Sequence, residues 1–186
     1  MKVSVRGVVL VVVIVVFGVL LFTSIGGRAR RYFGVFISEI TVASKENEQL
    51  PLETYDWQLK NFEGRKMQFE KYKGRVIFLN FWATWCKPCI KELPDIQELY
   101  KDYGKDVVFI LLTQEESSKV NAFIKKTGLN LPVYYPSTPV PDVLFSKTVP
   151  ATYIINKTGQ IILAETGAAD WNNQKTRLIL EGLISE

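Results

Sequence analysis

No histidine occurs anywhere in these 186 residues. That absence removes the side chain that most often moves protons near neutral pH, and with it most acid–base, haem-ligating and copper-carrying chemistries. Cysteine is nearly missing too: there are two, Cys86 and Cys89, with two residues between them. Such a pair can be half of a zinc site, but zinc takes four ligands, usually Cys or His, and no third cysteine or histidine exists to complete the set. Internal repeats, a phosphate-cradling glycine loop and a Ser-His-Asp arrangement are also absent. Acidic residues are lacking in one region only. Residues 1–31 carry five basic side chains, Lys2, Arg6, Arg28, Arg30 and Arg31, and no acidic one, which leaves 18 basic against 19 acidic over the remainder. The formal charge of +4 is therefore a membrane-flank property and gives no support for nucleic-acid binding.

What fills the N-terminal region is apolar. Residues 7–25 contain no charge, and a helix of that length, rising about 1.5 Å per residue, roughly spans the ~30 Å hydrocarbon core of a bilayer. The competing reading is a cleaved signal peptide, but its apolar region is usually about 7 to 15 residues and ends in a small-x-small pattern, of which Ser24-Ile25-Gly26 is a weak version. The sequence thus divides into a membrane anchor over 1–27, a juxtamembrane linker over 28–50 and a globular domain over 51–186. Basic residues flank the span on both sides, so charge alone does not orient it. Tyr32, Phe33 and Phe36 suit either a headgroup position or the start of the linker, and the polar run Ser44 to Gln49 reads as a tether.

The chain's chemistry is concentrated downstream. Val76 to Trp82 is a short apolar run bounded by Lys73-Gly74, which predicts a buried strand feeding a helix whose first turn holds both cysteines. Residues three apart on a helix share a face, so the sulfurs can close a disulfide without backbone movement. Pro88 is tolerated there because first-turn amides have no intrahelical acceptor to lose. The positive end of the helix dipole, together with Lys87, favours a thiolate at Cys86. Cys86 is therefore expected to be the exposed nucleophile, and Cys89, flanked by Ile90 and Leu93, the buried resolving partner. A purely structural staple remains as an alternative, although a bridge closing so short a loop removes little entropy from the unfolded chain.

Around this centre the elements alternate. Trp57 to Phe62 and Lys66 to Phe69, joined through Gly64, predict a hairpin with Trp57 as a packing residue. Ile90, Leu93, Ile96, Leu99 or Tyr100, and Tyr103 recur at helical spacing, with Pro94 expected to kink that helix and Gly104 to end it. Val107 to Leu112 reads as a central strand, and Ser117 to Thr127 as a helix with Val120, Phe123 and Ile124 inward and Gly128 closing it. A short strand at Val133 to Tyr135, a small helix near Asp142 to Phe145, strands at Thr152 to Ile155 and Ile161 to Ala164, and a last helix from Trp171 to Ile184 complete the domain. Leu178, Leu180, Leu183 and Ile184 are that helix's expected contacts. The alternation argues for an α/β core with parallel strands. Asn156-Lys157-Thr158 fits a glycosylation acceptor but lies at a natural turn.

Phe81-Trp82-Ala83-Thr84-Trp85-Cys86-Lys87-Pro88-Cys89, followed by Glu92 and Pro94, resembles the active site of the membrane-anchored TlpA-like and ResA-like thiol-disulfide oxidoreductases. Val149-Pro150-Ala151-Thr152 to Gly159 is similar to that group's second signature, and the resemblance covers about residues 52–186. It implies a thioredoxin-like α/β fold with a central mixed sheet, flanking helices and an N-terminal β-hairpin, preceded by one transmembrane helix. It further implies a cis Val149–Pro150 bond beside the sulfurs, against the alternative of an ordinary strand-edge proline. Cytosolic thioredoxins carry a buried Asp where this chain has Asn80, which cannot ionise. The resemblance therefore assigns proton acceptance from Cys89 to Glu92, against the alternative of a solvated helix carboxylate. Trp85, Pro88, Val149 and Pro150 become the substrate-facing residues, although Trp85 could simply pack, and Trp82 goes to the core.

The implied activity is reduction of protein disulfides outside the cytoplasmic membrane by a Cys86/Cys89 dithiol–disulfide cycle, with apocytochrome c cysteines among the partners it suggests. No cofactor is implied beyond the redox-active disulfide, and no metal. A membrane thiol carrier would be the electron donor, since that compartment is oxidising. The N-terminus would face the cytoplasm and the domain the periplasmic side. A disulfide oxidant or isomerase is the nearest alternative, and a membrane-tethered binding module whose disulfide never cycles is another. A peroxidase is disfavoured because Cys86 sits in W-C-x-x-C and not beside the Thr and Arg such sites employ.

Overall fold

The computed structural model describes residues 47–186. The anchor expected over 1–27 and the linker up to residue 46 lie outside the described residues. Among the described residues no helix is long and apolar enough to cross a membrane. The last four residues of the expected linker, 47–50, are paired with the domain. Gln49 bridges Gln160, the N–H groups of Asn47 and Leu50 donate to the Ile161 and Gly159 carbonyls, and Leu50 is buried.

Among the described residues, seven strands form one mixed sheet. In chain order they are β1 (Gln58–Asn61), β2 (Lys66–Gln68), β3 (Val76–Phe81), β4 (Val107–Leu112), β5 (Val133–Pro136), β6 (Ala151–Ile155) and β7 (Ile161–Thr166). Their spatial order is β2-β1-β5-β4-β3-β6-β7. β3 runs parallel to β4, and β4 to β5; the remaining pairs are antiparallel. The β1–β2 hairpin is thus not a neighbour of β3, which it precedes in sequence. It extends the sheet beyond β5, with Lys60 opposite Tyr135.

The strand at the centre is apolar on both faces because both are covered: all six residues of β3 are buried. Side chains alternate across a strand. Val76 and Phe78 accordingly join the cluster formed by Leu93, Ile96 and Leu99 of helix α1 (Lys87–Tyr103) and by Leu180 and Leu183 of helix α3 (Gln174–Ser185). Asn80 has the same parity, so it too faces α1, and this places a polar side chain at the end of an otherwise apolar stripe. Phe78 stacks on Phe109 of β4 and meets Trp171 edge-on. Helix α2 (Ser117–Thr127) contributes Val120, with Phe123 and Ile124 half-buried, and ends at Gly128 in the left-handed conformation.

Two expectations for the last helix, its start and its inward face, are corrected. The last helix begins at Gln174, capped by the Asn173 side chain on the Thr176 N–H, so Trp171 precedes it as a buried loop residue. Its inward positions are Thr176, Leu180 and Leu183, spaced four and three apart on one face, and Leu178, off that face, is 58% exposed. Helix α1 runs unbroken from Lys87 to Tyr103 with Pro94 inside it. The triplet Asn156-Lys157-Thr158 is a turn held by its own side chain. Asn156 Oδ1 accepts from the Thr158 N–H, the Thr158 hydroxyl and the Gln160 N–H.

Candidate active site

Cys86 is the N-cap of α1 and Cys89 lies in its first turn. The two are disulfide-bonded with Cα atoms 5.2 Å apart, within the roughly 4.4–6.8 Å that bridging requires. Cys86 Sγ also accepts the backbone N–H of Cys89 at 3.2 Å, so the sulfur occupies the capping position that an oxygen holds in Ser or Asp caps. Folding back to do this withdraws it from solvent. Cys86 is only 4% exposed, which corrects the expectation of an exposed nucleophile, while Cys89 is wholly buried. The exposed member of the loop is Trp85, at 71%. Lys87 and Pro88, at the first two helical positions, are exposed beside it.

The loop before β6 closes the other flank. Val149–Pro150 is a cis peptide bond, and the Val149 carbonyl oxygen is 3.7 Å from Cys86 Sγ. Ala151, next in sequence, pairs with Phe81 at the end of β3. Strand register therefore brings the Val149–Pro150 bond to the sulfurs, Val149 lying 63 residues from Cys86. Beside this junction opens a groove of about 580 Å³ walled by Trp82, Trp85, Leu112, Glu115, Lys147 and Val149.

Behind the pair lies a different environment. Glu92, one turn beyond Cys89 on α1, is 1% exposed. Its Oε1 accepts from Asn80 Nδ2 at 2.8 Å, and its Oε2 accepts from the Trp171 indole N–H at 3.0 Å and the Ala169 backbone N–H at 3.3 Å. Asn80 Nδ2 also donates to Thr152 Oγ1 at 2.9 Å, across the β3–β6 register. Burial pushes the Glu92 carboxyl above the ordinary carboxylate range. The three donors pull it back in part, and the nearby Asp95 charge adds to the rise. Glu92 also borders a second cavity of about 370 Å³ with Lys91, Asp95, Ala168, Ala169 and Asp170. Asp95 is itself raised by burial and then by the charge of Asp170.

Glu92 is thus a buried, hydrogen-bonded carboxyl and not a solvated helix residue. Trp85, Cys86 and Val149 meet on the front of the pair, whereas Glu92 joins Asn80 on the back. Trp57 and Trp82 are core, as expected. Trp171 and Glu115 were not singled out by sequence reasoning. Trp171 lies 79 residues from Glu92, and no local pattern marks it.

A family model described as AhpC/TSA matches residues 52–164. The chain belongs to the AhpC/TSA family. Within it, the chain is similar to thiol-disulfide oxidoreductase ResA of Bacillus cereus, 33% identical over 147 residues, which are 77% of this chain and 82% of that protein. Thioredoxin-like protein YneN of Bacillus subtilis is 30% identical over 88% of this chain and 96% of its own length. A crystal structure of a thiol:disulfide interchange protein of the thioredoxin family from Chlorobium tepidum superposes with a TM-score of 0.59 at 21% identity, over 72% of this chain and 97% of that one. That likeness bears on the fold alone. The chain is a ResA-like thiol-disulfide oxidoreductase with a thioredoxin-like fold, as its two signatures imply. Metal-holding groups of three or more His, Cys, Asp or Glu are absent among the described residues.

Proposed function

We propose that this oxidoreductase works as a reductant of disulfides in proteins outside the cytoplasmic membrane, tethered there by residues 1–27, with cytochrome c maturation as the candidate pathway. The observation that carries the reading is the built-in asymmetry of the sulfurs. Cys86 Sγ holds an amide donor from Cys89 N–H and faces the Val149 carbonyl, whereas Cys89 is sealed in the core one turn from Glu92.

In the cycle, reduced Cys86 is a thiolate held by the Cys89 N–H and the helix N-terminus. It attacks one sulfur of the substrate disulfide, forming the Cys86–substrate bond and expelling the other substrate sulfur as a thiolate. Glu92 takes the Cys89 proton. The Cys89 thiolate then attacks Cys86 Sγ and releases the second substrate sulfur. Two electrons pass to the substrate and the Cys86–Cys89 disulfide forms. A membrane thiol carrier returns it to the dithiol. Trp85 and Pro88 form the docking rim, and the backbone before Pro150 pairs with an extended substrate segment. The active disulfide is the only redox group this cycle needs. The uncharged run over residues 7–25, followed by Arg28, Arg30 and Arg31, supports the tether.

The test uses the full-length chain in detergent. Insulin reduction with a dithiol donor is expected for the wild type and lost in Cys86→Ser. Cys89→Ser, expressed in the native host, is expected to retain extracytoplasmic proteins as mixed disulfides on Cys86. A pair that stays in one oxidation state at every accessible potential overturns the cycle, and captured partners that are all cytoplasmic overturn the location.

A further inference from the structure

The cycle leaves unused the carboxylate that walls the groove in front of the pair. Glu115 lies in the link from β4 to α2, half-buried, and spends both of its oxygens on one residue. The Thr84 N–H donates to Oε2 at 2.5 Å and the Thr84 hydroxyl to Oε1 at 2.9 Å. Its own N–H turns back onto Thr113 Oγ1 at 3.4 Å. Thr113 is buried and donates its N–H to the Tyr134 carbonyl. Thr84 is therefore tied through Glu115 to the β4–β5 pair, and Thr84 is followed directly by Trp85 and Cys86. A side chain that engages two donors of one residue fixes both the position and the rotation of that residue, which a single bond does not.

We propose that Glu115 is a positioning residue for the attacking sulfur: its two-point grip on Thr84 holds the Trp85–Cys86 loop in the orientation that capture of a disulfide requires. The inference rests on the reading that Cys86 is the attacking sulfur. Cys86 Sγ is the nucleophile in capture and the atom that Cys89 attacks in resolution, so loss of the grip falls first on capture and can reach resolution, whereas the proton step at Glu92, on α1, does not depend on the grip. The negative charge works against the thiolate while the grip works for capture, so the two effects can be separated. Glutamine can keep both contacts, its oxygen accepting the Thr84 N–H and its nitrogen donating to Thr84 Oγ1, without the charge.

The experiment measures capture of oxidised glutathione by the reduced full-length protein in a Cys89→Ser background, together with the alkylation of Cys86 as a function of pH. Resolution of preformed mixed disulfide is followed with Cys89 present. Glu115→Ala is expected to slow capture about tenfold or more, since misplacing a reacting atom by ~1 Å can cost up to ~10²-fold, and to leave the pH dependence of resolution, which Glu92 sets, unaltered. Glu115→Gln should recover capture and move the alkylation profile to lower pH. Thr84→Ser should match the wild type, and Thr84→Val should fall between wild type and Glu115→Ala.

The proposal is overturned by capture in Glu115→Ala within twofold of the wild type, by a shift in the pH dependence of resolution in that variant, or by Glu115→Gln being as slow as Glu115→Ala. Hydrogen exchange of the Thr84 amide reads the grip without any redox step. It should be slow in the wild type and in Glu115→Gln and fast in Glu115→Ala. A wild type that captures no disulfide but protects Thr84 sinks the redox cycle and not the grip, whereas an unprotected Thr84 sinks the grip alone.

Discussion

The front and the back of the Cys86–Cys89 pair are built from different material. In front, an indole exposed to 71%, a backbone carbonyl, an open groove and the Glu115–Thr84 contact meet water. Behind, Glu92, Asn80, Thr152 and Trp171 are all buried and bonded into one network. Charges in front are screened and replaceable; those behind act in a low dielectric, where each donor changes the ionisation of one carboxyl. The difference suggests a division of labour, with partner approach handled in front and the resolving proton behind. Substitutions at the two faces should therefore separate the steps of one reaction.

The most forceful way to break that comparison is Glu92→Gln. The amide keeps the size and the Asn80 contact and cannot take a proton. Resolution of the mixed disulfide is expected to slow about 100-fold at neutral pH, the lower end of what a positioned acid or base contributes. The rise of its rate with pH should move upward, while capture by Cys86 stays within about twofold of the wild type. Stopped-flow decay of a Cys86–substrate disulfide across pH checks this. Equal slowing of both steps would erase the distinction between front and back.

Trp85→Ala probes the front alone. An exposed tryptophan at a docking rim is the kind of anchor whose truncation commonly costs at least ~1–2 kcal/mol of binding. The expectation is a fall of about tenfold in kcat/KM for insulin, carried by KM, with resolution unaltered. A loss carried by kcat instead would place Trp85 in the packing of the site and not in recognition.

The sequence disclosed these two faces unequally, and the reason is range. β3, α1 and the placing of the two cysteines at its start follow from local periodicity and punctuation, although Cys86 is the cap and not a residue of the first turn, and the Val149–Pro150 cis bond follows from a signature similar to the family's. Glu92 could be assigned a role because it sits one helical turn from Cys89. Its donors from Trp171 and Ala169 could not be found, because they arrive 79 and 77 residues later along a loop without helix or strand pattern. Glu115 lies 31 residues from Thr84, in a link without a local pattern to single it out. Leu178 shows the same limit within one element. It stands two residues before Leu180, about 200° around the helix, so with Leu180 and Leu183 inside it faces solvent. The burial of Cys86 was hidden for a related reason: the helix dipole argues for an activated sulfur, but not for one folded back over the helix end.

Trp171→Phe makes the finest cut, within the back face itself. The indole N–H is one of three donors holding the Glu92 carboxylate, and Phe retains a ring against Phe78 while deleting that bond. Its loss should raise the already raised Glu92 carboxyl further, so that resolution gains speed only at higher pH and runs roughly threefold slower near neutrality, a small part of a full acid–base contribution. The sign can be checked by stability. A carboxyl whose folded pKa is raised contributes fully below its unfolded pKa, and that contribution is lost as pH rises through the folded value. In Trp171→Phe the folded value is higher, so the loss extends to higher pH and ends larger. The stability gap between wild type and variant should therefore widen as pH climbs from the ordinary carboxylate range through the raised one, above a constant packing difference. Urea midpoints measured across that window supply the test. A gap that does not change with pH would mean that Trp171 only packs, and that the ionisation of Glu92 is governed by Asn80 and burial.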